Sequence, residues 1–169
     1  RMLNDLRTRR LAVEFACQWL GIREFNLDDG KNEKLHPQFP ELRGPMYEES
    51  VRFLEDLFRK DGSILDLLNA DHTFLNESLA KHYGITDVTG SQWRRVEGVR
   101  AKGRGGILGL ATTLAKQSGA SRTSPILRGN WVSETLLGER LPKPPANVPN
   151  LPELVPSGLT SRQLIEKHS

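Results

Sequence analysis

Fifteen glycines and ten prolines punctuate this chain of 169 residues, and between them the apolar residues recur at helical spacing. A chain cut that often folds as a set of helices joined by turns, each helix closed where a breaker stands. Leu11, Phe15 and Trp19 fall four apart with Ala12, Ala16 and Leu20 beside them, which predicts a helix over residues 4–20 ended by Gly21. Residues 26–43 read as loop, because Asp28-Asp29-Gly30 is a turn signal and Pro37 and Pro40 interrupt any helix. A second helix is predicted to open at Pro45 and to turn Met46, Phe53, Leu54, Leu57 and Phe58 inward, with Asp61-Gly62 stopping it. Ser63 caps a short turn over residues 64–68, and Asn76 caps a helix that carries Leu79, Ala80 and Tyr83 to a stop at Gly84.

The second half is organised differently. Residues 92–96 lean towards one short strand. A glycine-dense stretch from Gly103 to Gly109 leads into a small-residue helix over 107–117, and Ser118–Ser121 is loop. Ser124-Pro125 is an N-cap with a first-turn proline, opening a helix that buries Ile126, Leu127, Trp131, Leu136 and Leu137 before Gly138. Residues 141–156 hold six prolines and read as an extended connector. Thr160-x-x-Gln163 is a capping box for a last helix over 161–169. The expected fold is therefore mainly α. It comprises an irregular helical unit over 1–84 and a Gly/Arg-rich helical unit over 85–169, with at most a minor β element and the proline-rich connector. Phe15, Trp19, Phe53, Leu57, Leu79 and Tyr83 are predicted to share one core.

Composition excludes several function classes. At 37% hydrophobic and 27% charged, the chain is in the ordinary globular range, and no apolar run approaches the ~20 residues of a membrane helix. Cys17, the single cysteine, precludes an intramolecular disulfide, a cysteine-built zinc site and a C-x-x-C-H haem attachment within the chain. It reads as a buried small hydrophobe. His36, His72, His82 and His168 show no ligand spacing, so no metal is expected. Glu48-Glu49 and Asp28-Asp29 read as solvated surface, and no G-x-S-x-G elbow marks a nucleophile. Residues 1–20 lack the apolar run of a signal peptide, and a start on Arg1 rather than Met suggests a fragment of something longer.

Charge supplies the one candidate site. Residues 1–84 hold 12 Lys and Arg against 15 Asp and Glu, a net of −3; residues 85–169 hold 12 against 6, a net of +6. Between Arg94 and Arg128 eight basic residues face one acid, Glu97. Such a segment either attracts an anion or neutralises the acidic first half. The glycine run fails both the dinucleotide and the P-loop spacings, since Leu108 stands where a third glycine is needed. Backbone amides at Gly105 and Gly106, the Ser124 helix end and the guanidinium groups of Arg104, Arg122 and Arg128 remain as an expected site for phosphate, carboxylate or an acidic polysaccharide. Tight helix packing by Gly105 and Gly106 is the competing account. Nucleic acid is a poor candidate, because no recognition motif accompanies Trp93.

Three stretches carry a family resemblance. They are Arg1-Met2-Leu3 with Phe15-Ala16-x-Gln18-Trp19-Leu20; Asp66-Leu67-Leu68-Asn69-Ala70-Asp71-His72-Thr73-Phe74-Leu75-Asn76-Glu77 through Leu79-Ala80-Lys81-His82-Tyr83-Gly84; and Arg104-Gly105-Gly106-Ile107-Leu108-Gly109 with Arg122-Thr123-Ser124-Pro125, Arg128-Gly129-Asn130-Trp131 and Asn147-Val148-Pro149. Together they resemble two consecutive planctomycete-type domains of unknown function from large exported proteins that also carry cytochrome c-like modules. The resemblance implies a periplasmic or extracellular location and a haem c attached downstream of Ser169, with none in this chain. The resemblance carries over no catalytic residue. Two functions stay open. The connector and last helix suit a non-catalytic module that docks on that haem-bearing part of the parent protein and supports electron transfer. The Arg94–Arg128 segment suits an enzyme or binding module for an anionic ligand, an acidic polysaccharide or phosphate.

Overall fold

Side-chain caps open the helices that begin at Glu77, Pro125 and Ser161, while those that begin at Phe39 and Ala111 start without one and owe their ends to packing and breakers. The structure, a computed structural model, describes residues 3, 5–28, 30–142, 145 and 158–168. The chain runs through α1 (Thr8–Leu11), a π-helical segment (Ala12–Cys17), α2 (Phe25–Asp28), α3 (Phe39–Arg59), α4 (Asp66–Asn69), β1 (His72–Leu75) and α5 (Glu77–Tyr83). It continues through β2 (Arg94–Glu97), a 3₁₀ turn (Val99–Lys102), α6 (Gly106–Gly109), α7 (Ala111–Lys116), α8 (Pro125–Trp131), a second π-helical segment (Val132–Leu136) and α9 (Ser161–His168). The fold is mainly α, as its sequence predicts. Asn76 accepts from the Leu79 amide at 3.1 Å and Gly84 closes α5 in the left-handed region. Ser124 accepts from the Leu127 amide at 3.2 Å, and Thr160 and Gln163 form the expected reciprocal box at the start of α9. The expected connector over 141–156 lies almost wholly outside the described residues.

Two expectations for the first half need correction, and one for the helix predicted at α8. There Ile126, Leu127 and Leu137 are 46%, 44% and 64% exposed; of the residues predicted inward, only Trp131 is buried, while Leu136 packs at the core's edge. The first helix does not turn its large residues inward: Phe15 is 58% and Trp19 40% exposed, whereas Ala12, Ala16, Cys17 and Leu20 are buried. The wider π turn brings Ala12, Ala16 and Cys17 to one face, and these small side chains let the segment lie close against α3. Phe15 and Trp19 are therefore left on the far side. Trp19 Nε1 still donates to the Thr135 carbonyl at 3.2 Å, while the buried Trp131 Nε1 donates to Leu20 O at 3.1 Å.

The second correction concerns α3, which starts at Phe39 rather than Pro45. Pro40 occupies its first turn, where no N–H is required, and Pro45 is carried inside the helix. Packing holds that extra turn: the Phe39 ring meets Phe25 edge-on at 6.0 Å between centroids, and Leu42 is buried.

β1 and β2 pair antiparallel, with Thr73 opposite Val96 and Leu75 opposite Arg94. Thr73 and Leu75 are buried and lie two apart, the period of a half-buried strand. β2 matches the predicted strand to within two residues, but nothing in the sequence reading anticipated its partner β1. One apolar cluster runs from Ala12 through Phe53, Leu79 and Tyr83 to Ile107, Leu110 and Trp131, so both halves of the chain contribute to it. Leu57 packs on its edge.

Candidate functional site

The site is built where two loops meet over α3. The loop before α3 and the loop after α7 are tied together by Asn32, whose amide donates to Ala120 O at 3.0 Å and whose side-chain Nδ2 donates to Ser121 Oγ at 3.2 Å. Lys31 Nζ adds a bond to Ser118 O at 3.4 Å. Beneath these loops lies a cavity of about 540 Å³. Its apolar wall comes from the start of α3, with Phe39, Leu42 and Met46, and from Leu114 on α7. Lys31, Arg104 and Arg122 line it together with His36 and His82, and no Asp or Glu is among the described lining residues.

Arg104 links this cavity to the core. Its guanidinium carbon sits 4.0 Å from the centroid of the Tyr83 ring, and its Nη1 donates to Gly109 O at 3.3 Å. Beneath that ring is Glu49, only 1% exposed. Thr73 Oγ1 and Tyr83 OH donate to its two carboxyl oxygens, each at 2.6 Å, and the Ala111 amide also bonds to it. Burial pushes the Glu49 carboxyl up to about 7, although those three donors and Arg104 pull the other way. Burial likewise raises the Tyr83 hydroxyl far above its ordinary range, with the neighbouring Glu49 acting in the same direction. His82 is lowered, first by desolvation and then by Arg104. The expectation that Glu48-Glu49 is solvated surface is thus overturned for Glu49. Its position three after Met46 and four before Phe53 puts it on the inward face of α3, and that spacing was the available signal.

The six residues expected to hold an anion divide. Arg104 and Arg122 both reach the cavity, and no carboxylate pairs with either among the described residues. Gly105 and Gly106 are not on the cavity wall. Both have positive φ, and a Cβ on Gly106 would stand 2.6 Å from Leu68 O and 2.9 Å from Leu67 O. A Cβ on Gly105 would likewise run into Ala70 O just past α4, so both glycines serve close packing. Ser124 is occupied as the α8 cap. Arg128 turns to Thr123, donating from Nη2 to Oγ1 at 2.7 Å, and is not on the cavity wall. Lys31, His36 and His82 were missed because charge was read only as a density along the second half, whereas the first half supplies these groups by folding.

Other clusters are structural. Asp56 gathers Lys60 at 2.9 Å, Arg95 at 2.6 Å and His72 at 3.6 Å, which fastens β2 to α3 beside a cavity of only about 70 Å³. Among the described residues no three His, Cys, Asp or Glu side chains are grouped to hold a metal, and no helix is long and apolar enough to cross a membrane. A covalently attached haem c does not fit the residues present. Cys17 is one buried thiol, raised to about 11 by burial, where two accessible thiols are required.

Two family models match the chain. Residues 1–85 match PSD4, a protein of unknown function (DUF1592), and residues 104–169 match PSCyt3, a protein of unknown function (DUF1588). Both names are associated with planctomycete cytochrome c-containing proteins. No curated protein and no solved structure matches the chain. Lys31, His36 and His82 fall in the first matched segment, Arg104 and Arg122 in the second, so the cavity opens along their seam. The chain belongs to the PSD4 family, continued by a PSCyt3 domain.

Proposed function

We propose that this chain is a binding module for a small anionic ligand held in the cavity at the seam of its two segments. The observation that carries the reading is the convergence of Lys31, Arg104 and Arg122 on a cavity with no carboxylate among its described lining residues. Partly buried cations in such a place favour an anion more strongly than the same charges spread over a surface. Seams between segments are also where small-molecule sites concentrate, and 540 Å³ falls within their usual range of roughly 300–1,000 Å³. Titration with inorganic phosphate at low ionic strength tests the reading. Phosphate should raise the melting temperature by several degrees more than sodium chloride of equal ionic strength, and Arg122→Ala should remove the difference. Equal effects of the two salts would overturn it.

A second reading rests on a different surface. Leu11, Phe15 and Trp19, on successive turns, are 42%, 58% and 40% exposed, and Leu137 is 64% exposed. Large apolar groups gathered this way suit a protein contact. With the cytochrome c association of both family names, they support docking on a haem c-bearing part of a larger exported, periplasmic or extracellular protein, where the chain supports electron transfer without catalysing a reaction. Co-elution with that haem module, weakened by Phe15→Asp, is the expected result.

A further inference from the structure

We infer that the ligand of the seam cavity is amphipathic: a single phosphate or carboxylate attached to an apolar body the size of a ring or a short alkyl chain. The inference rests on the anion-binding reading and narrows it to a ligand class. A bare oxyanion of five heavy atoms beside Arg104 or Arg122 would leave most of a 540 Å³ cavity to water against apolar side chains. Phe39, Met46 and Leu114 offer nothing to an oxyanion, and Leu35 on the loop above is 53% exposed while lining the same cavity. An apolar body attached to the acid would cover these groups at the moment the acid meets the cations.

A long polyanion fits less well. Such a ligand needs cations spaced along a surface, and the basic segment does not provide that row. Of its eight basic residues only Arg104 and Arg122 line the cavity; Arg94 is bonded to Thr89 O, and Arg95 is committed to Asp56 and Glu97. The acidic polysaccharide expected from charge density alone is therefore set aside in favour of a compact ligand.

Calorimetric titration of the 169-residue chain with phenyl phosphate, inorganic phosphate and benzyl alcohol tests the inference. Phenyl phosphate should bind at least tenfold more tightly than inorganic phosphate, and benzyl alcohol should not bind measurably. Leu35→Asn, an exposed loop change that leaves the core intact, should weaken phenyl phosphate severalfold and leave inorganic phosphate unchanged. Arg122→Ala should weaken both. Equal affinities for phenyl phosphate and inorganic phosphate, both lost in Arg122→Ala, would overturn the amphipathic class while the anion site stands. No binding of either anion, or benzyl alcohol matching phenyl phosphate in a manner indifferent to Arg122→Ala, would overturn both.

Discussion

Glu49 is held in the core by two hydroxyl donors and one amide, yet desolvation outweighs all of them and raises its carboxyl from 4.5 to about 7. A folded-state value above the unfolded one means that the folded chain binds this proton more tightly. The stability it contributes is fully present below pH 4.5 and is lost as pH rises through about 7. Over that window one proton is worth about 1.4 kcal/mol per pH unit, on the order of 3 kcal/mol in all. His72 and His82, both lowered chiefly by burial, act with the opposite sign, losing stability as pH falls. They are common to a wild-type and Glu49→Gln pair, so the difference between the two melting curves isolates Glu49. Glu49→Gln should flatten the fall in melting temperature between pH 5 and pH 8. Parallel curves would show that Glu49 ionises in the folded chain as readily as in the unfolded one.

At the scale of elements, α6 approaches α4 so closely that only hydrogen fits between them. Gly106 has φ +63° and is buried, and a methyl group there would run into the Leu67 and Leu68 carbonyl oxygens, which belong to backbone and cannot step aside. Left-handed strain and overpacking together set the expected cost of Gly106→Ala at about 3 kcal/mol. Urea unfolding checks this as a fall in midpoint at unchanged slope. Asn76→Ala, which removes one cap bond from α5, should cost only about 1 kcal/mol in the same assay. A smaller loss at Gly106 than at Asn76 would show that α6 can move off α4.

The whole molecule depends on contacts between its halves. Ser50 Oγ on α3 and Thr112 Oγ1 on α7 are 2.6 Å apart and buried, Glu49 is bonded by the Ala111 amide, and Trp131 is anchored on Leu20. Ile107, Leu110, Ala111 and Trp131 complete the cluster that the first half begins. Residues 1–98 alone would expose that apolar surface and leave Glu49 without its Ala111 partner. They should show no cooperative thermal transition, whereas the full chain should melt in a single one. A sharp melt of the shortened chain would show that the first half carries a sufficient core of its own.

Local chemistry decided what was legible without the fold. The Asn76 and Ser124 caps, the Thr160–Gln163 box and the stop at Gly84 each rest on hydrogen bonds or dihedral angles within a few residues, so the side chains near each helix end suffice to specify them. Tertiary packing decided the rest. Which face of the first helix turns inward depended on α3 accepting Ala12, Ala16 and Cys17 in place of Phe15 and Trp19. The start of α3 depended on the Phe25–Phe39 contact, and the burial of Glu49 on donors 24, 34 and 62 residues away. The candidate site divides along the same line. Arg104 and Arg122 stand out in the sequence as charge, but their meeting with Lys31, His36 and His82 requires two loops nearly ninety residues apart to be joined through Asn32. No local rule encodes that juxtaposition, because its free energy comes from the shared core that brings the loops together.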